Sequence, residues 1–162
     1  MGKPIFILFS LIIISCSNHR VSPIKTINDT LFFPNSLSTI SDSSLIQSPI
    51  GNIIDTSAKT RVTVVWGDCH VCMKKINQWA TFIEEYNLQD FQTLVIVTTT
   101  SPQYFIRIFK PELLYKGALV IDTENSFNKL NGLSYINFGY NTFLIYSNRK
   151  IVLIGVLLYF LN

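Results

Sequence analysis

Two cysteines separated by two residues, Cys69 and Cys72, are the residues of this chain best suited to chemistry. At that spacing two sulfurs can close a small ring. One thiolate can attack a disulfide in another molecule, and the second can displace it from the resulting mixed disulfide. His70 lies between them, and Asp68 and Trp66 come just before. A cationic His70 would stabilise a thiolate and make the disulfide more oxidising. Asp68 acts in the opposite sense, because a carboxylate disfavours a second negative charge beside it. Trp66 could shield the disulfide or pack in the core.

The flanking elements position this pair. Val62 to Trp66 is a continuous apolar, β-branched run and reads as a buried strand. Gly67 and Asp68 break it. From Cys72 the apolar residues Ile76, Trp79, Ile83 and Tyr86 recur at helical steps, which predicts a helix to about Tyr86. Cys69 then sits at the helix start, facing unpaired N–H groups and the positive end of the macrodipole. It is expected to be the exposed, more acidic attacking thiol, with Cys72 one turn in as the resolving one. Trp79 is expected in the core, and Glu84 and Glu85 lie too far along the helix for acid–base work.

Composition narrows the alternatives. The 162 residues are 48% hydrophobic and 14% charged with a net charge of +3, too weak and scattered a positive field for nucleic acid. Lys74 and Lys75 read as the solvated face of the helix. A structural zinc site wants four ligands, and beyond the cysteine pair only His70 and the distant His19 are at hand. Haem attachment needs a histidine where Met73 stands. A peroxide-reducing cysteine with threonine three residues before it is absent, since Trp66 and Cys69 hold those positions. No cofactor is expected.

The strand, short turn, Cys-x-x-Cys and helix resemble the thioredoxin superfamily, and more narrowly the TlpA-like, membrane-anchored thiol–disulfide oxidoreductases of bacterial envelopes. The resemblance covers about Arg61 to Gly155. It implies an α/β fold, a three-layer sandwich with a mixed sheet, and protein disulfides or thiols as partners. It also implies attack by Cys69 and resolution by Cys72.

The leader carries a second resemblance. Lys3 precedes an apolar run, Ile5 to Ile14, too short to span a bilayer, which ends Ile13-Ile14-Ser15-Cys16. This is similar to the lipobox of bacterial lipoproteins. The resemblance implies removal of residues 1–15 as a signal peptide and acylation of Cys16. It further implies a lipid anchor in the cell envelope, facing the periplasm or the outside, where disulfides persist. Residues 16–59 are polar and serine-rich, with Pro23, Pro34 and Pro49, and read as a flexible tether; Thr30 to Phe33 is a weak candidate for an edge strand. The folded domain is expected over 60–162.

Within it, Leu94–Thr98 reads as a second buried strand. Ser101-Pro102 starts a helix that runs to about Phe109, before Pro111. Ala118–Asp122 is a third strand. Asn125–Leu130 is a short helix capped by Thr123 and ended by Asn131-Gly132. Thr142–Tyr146 and Lys150–Ile154 form a hairpin.

Two departures from the resembling family stand out. Tyr140 and Asn141 occupy the place where its members carry a cis-proline facing the cysteines, so these two are the candidate substrate-binding residues. The apolar tail after Gly155 is too short to supply the usual C-terminal helix, so the domain is expected to lack it, as a C-terminally truncated version of the fold. The reading is therefore lipid-anchored dithiol–disulfide exchange. Its rivals are a redox-weak binding or scaffold lipoprotein and a metal-binding chaperone using Cys69, Cys72 and His70.

Overall fold

The computed structural model describes residues 25–41, 44–55, 57–86, 91–133, 142–146 and 148–155. Its frame is a seven-stranded mixed sheet in the order β2-β1-β5-β4-β3-β6-β7. The strands are β1 (Ser36–Ser41), β2 (Ser44–Pro49), β3 (Thr60–Trp66), β4 (Gln92–Thr98), β5 (Ala118–Asp122), β6 (Thr142–Ile145) and β7 (Ile151–Gly155). β3, β4 and β5 run parallel, with Trp66 opposite Thr98 and Thr98 opposite Asp122. Their C-terminal ends are therefore level, and the cysteine turn leaves the sheet at that end.

The continuous apolar runs follow from cover on both faces. On one face Val62, Val64, Leu94, Ile96 and Val120 meet Phe127 of α3 (Ser126–Asn131). On the other, Val65, Val95, Val97 and Ile121 meet Met73 and Ile76 of α1 (His70–Glu85) and Phe105, Ile106 and Phe109. The three-layer, thioredoxin-like α/β arrangement read from the sequence is present.

Several elements differ from the sequence reading. The helix after Ser101 is one α-turn, Pro102–Tyr104 (α2), then a π-turn, Phe105–Phe109, then a 3-10 turn, Lys110–Glu112. The π-turn puts Phe105, Ile106 and Phe109 inside together, and Pro111, which has no N–H, prevents a regular continuation. Thr123 does not cap α3. The Asp122 carboxylate does, accepting from the N–H groups of Ser126 (2.9 Å) and Phe127 (2.8 Å), while Asn125 takes a left-handed conformation. Gly132 ends α3 at φ 63°, where an L side chain is strained.

The stretch read as a tether over 16–59 is corrected from Leu31 onward. Leu31, Phe33 and Leu37 are buried in the core, and β1 and β2 extend the sheet beyond β5. The weak strand candidate Thr30–Phe33 makes one bridge, Thr30 to Lys150, beside β7. The backbone around it is tied on by Asn28 N to Ile151 O (2.8 Å) and Leu31 N to Arg149 O (2.9 Å). The folded body thus starts well before Thr60. The expected cis-proline substitutes Tyr140 and Asn141, the leader with Cys16, and the tail after Gly155 all lie outside the described residues.

Asn131 fastens this N-terminal stretch. Its buried side chain accepts from Phe32 N (2.8 Å) and donates to Phe32 O (2.7 Å) and Phe127 O (2.9 Å). Asn131→Ala leaves those groups unpaired and is expected to lower stability by about 1–3 kcal/mol. The check is the urea midpoint; an unchanged midpoint refutes the assignment.

Candidate redox site

The site begins with a close approach of two strand exits. Gly67 N donates to Thr98 O at 2.8 Å, and a Cβ at Gly67 would meet Val97 Cγ1 at 2.7 Å and Thr99 Cβ at 2.9 Å. Glycine is required here by space, since any side chain would drive the turn away from β4.

The chain then turns through Asp68 into Cys69, whose N–H reaches Trp66 O at 3.2 Å. Cys69 is the N-cap of α1, extended at φ −106°, ψ 106°, and its Sγ accepts from Cys72 N at 3.3 Å. The sulfur takes the place usually held by a serine or aspartate oxygen. An N–H and the positive end of the helix dipole thus both face this sulfur. α1 starts at His70, two residues before the predicted Cys72, because the cysteine cap lies outside the apolar periodicity.

Both cysteines are reduced and partly exposed. Burial pushes the Cys72 thiol up to about 12, and its hydrogen bond and charge interaction with Cys69 add to this. A backbone hydrogen bond from Trp66 and the charge of Lys75 act in the opposite sense without offsetting it. Cys72 is thus held as the protonated thiol at neutral pH.

The other predicted tuning residues are also at this turn. Asp68 is exposed and accepts from Thr99 Oγ1 at 3.0 Å, and Ser101 N donates to the same hydroxyl at 3.0 Å. His70 is exposed, with its ring edge-on to Phe109 at 5.3 Å. Trp66 is half-buried at the end of β3. Trp79 is a core residue, as expected, and carries the Arg61 guanidinium 3.8 Å from its ring centroid. Among the described residues no three His, Cys, Asp or Glu side chains are placed to hold a metal ion.

Sequence reading missed Thr99 and Phe109. Thr99 is fully buried and lies 31 positions from its partner Asp68, so no local pattern announces it. Phe109 meets both His70 and Tyr104, the latter at 5.7 Å, through the π-turn that the sequence does not reveal.

No family model matches this chain, and no curated protein sequence does. Solved structures do. One is described as a thiol:disulfide interchange protein, DsbE, from Chlorobium tepidum, at TM-score 0.58 and 14% identity, covering 81% of this chain and 85% of its own. Another is the thioredoxin domain of a thiol-disulfide oxidoreductase from Bacteroides vulgatus, at TM-score 0.53 and 12% identity, covering 81% and 89%. A third is reduced Prx3 from Vibrio vulnificus in complex with hydrogen peroxide, at TM-score 0.57 and 14% identity, covering 82% and 88%. The chain has the thioredoxin-like fold, with its cysteine pair at the start of α1.

The raised Cys72 thiol makes a direct prediction. With iodoacetamide at pH 8, Cys69 is expected to be labelled at least about tenfold faster than Cys72. Labelling of Cys72 should still be accelerating above pH 10. Peptide mapping reads both rates, and equal rates would contradict the asymmetry.

Proposed function

We propose that this protein is a thiol–disulfide oxidoreductase that exchanges electrons with protein disulfides or thiols through Cys69 and Cys72. The observation that carries the reading is Cys69 as the cap of α1 with Cys72 protonated one turn behind it. In the reducing direction, Cys69 Sγ attacks one sulfur of the target disulfide and the other target sulfur leaves as a thiolate. Cys72 then loses its proton and attacks Cys69 Sγ, which releases the second target thiolate. The cysteine pair gives up two electrons and becomes a disulfide. A thiol-bearing donor restores it, and the reverse sequence oxidises a target dithiol. Exposed Val71 and Tyr104, beside His70 and Phe109, offer apolar contact to a polypeptide substrate, and Tyr140 and Asn141 are assigned a substrate-facing role by resemblance. The solved neighbours described as disulfide oxidoreductases support this reading over a scaffold role.

The test uses the aromatic disulfide 5,5′-dithiobis(2-nitrobenzoate) on the reduced protein carrying Cys16→Ser, so that only Cys69 and Cys72 are counted. With the pair intact it is expected to release two thionitrobenzoate anions per Cys69–Cys72 pair and to keep none. Cys72→Ser should release one and retain one as a stable mixed disulfide on Cys69. Release from Cys69→Ser should be slow. An intact pair that retains the aromatic thiol on both cysteines would refute the exchange role.

We further propose that Cys16 is acylated and anchors the protein in the bacterial cell envelope, facing the periplasm or the outside. The residues Ile13 to Cys16 support this. Cys16→Ser is expected to abolish labelling by a clickable palmitate and to move the protein out of the membrane fraction. Retention there with no label would count against the anchor.

A further inference from the structure

The cysteine turn is fastened from the neighbouring strand by Thr99. This residue follows β4, is fully buried, and packs against the turn at Gly67. Ser101 N can only donate to its hydroxyl, and the Asp68 carboxylate can only accept from it. The single hydroxyl proton is therefore directed at Asp68 Oδ1. Asp68 is itself exposed, and without this bond its side chain would sample several solvated rotamers.

We propose that Thr99 is a positioning residue that holds the Asp68 carboxylate beside Cys69 and so biases the Cys69–Cys72 couple toward the disulfide. The inference rests on the exchange reading and deepens it: it makes the pair a stronger reductant than the helix start alone would. Where the pair ionises, the thiolate exists only in the reduced form, and a negative charge fixed on the preceding residue destabilises that form. The disulfide, which carries no charge, is unaffected. His70 when cationic and Lys75 pull the other way, so the Thr99–Asp68 bond sets the balance between them.

The experiment equilibrates the full chain with glutathione redox buffers at about pH 9.5, above the ordinary cysteine value, where a thiolate is populated, and measures the fraction of disulfide. Thr99→Val is expected to shift the equilibrium toward the dithiol by about three- to tenfold, the scale of one nearby charge at a partly solvated site. Asp68→Asn should shift it in the same direction at least as far, and adding Thr99→Val to it should change nothing further. Thr99→Ser, which keeps the hydroxyl, should stay within about twofold of wild type. The proposal is overturned if Thr99→Val matches wild type, if its effect adds fully to that of Asp68→Asn, or if Thr99→Ser shifts as far as Thr99→Val. Should Thr99→Val fail to fold, Thr99→Ala takes its place under the same criteria. A wild type that forms no reversible disulfide removes the exchange reading and this proposal together. A normal wild-type couple that is indifferent to Asp68→Asn removes only the proposal.

Discussion

A sulfur atom caps the helix on which everything at the site depends. Cys69 Sγ receives the N–H of Cys72 and so satisfies one of the donors that a helix start leaves open. The arrangement holds only because Gly67 lets the exits of β3 and β4 touch, which places Cys69 at the level where three parallel strands end. In the proposed exchange the cap is also the nucleophile. When Cys69 enters a disulfide it loses much of its capacity as an acceptor, so the state of the sulfur and the quality of the cap are linked. The proposed exchange would thus act directly on the first turn of α1 rather than on a side chain hung from a finished helix.

The two thiols differ through burial and order rather than through residue type. Cys69 sits outside the helix at its mouth, and Cys72 lies in the first turn against the core formed by Met73, Ile76 and Phe105. Charge on the half-buried Cys72 sulfur costs lost solvation, and the interaction with the Cys69 sulfur adds to that cost. In the proposed exchange a molecule that engages Cys69 leaves its sulfur uncharged in the mixed disulfide. The same event would ease ionisation of Cys72, so that resolution would follow attack.

Much of this was legible because the relevant signals are local. A β-branched run, a glycine, and a helical apolar stripe mark β3, the turn and α1 without help from distant residues. The same holds for β4, β5 and the end of α3 at Gly132. The signals failed where partners are far apart or backbone geometry is irregular. β1 and β2 are rich in serine and have few apolar residues, and they belong to the sheet because β1 can pair with the edge of β5. The π-turn at Phe105–Phe109 has no periodicity to read and is chosen by the three side chains it buries. Thr99 looks like one of three threonines ending a strand. Only the fold brings it to Asp68.

The corrected start of the folded body changes what an anchor at Cys16 would mean. A tether over residues 16–59, fully extended, would reach on the order of 150 Å. The described fold instead begins at Lys25, with Leu31 already in the core, so nine peptide units separate Cys16 from Lys25. Nine units reach about 30 Å at most. The chain enters beside β7, at the opposite edge of the sheet from β2, and crosses one face before joining β5. An acylated Cys16 would therefore hold the β7 edge close to the lipid headgroups.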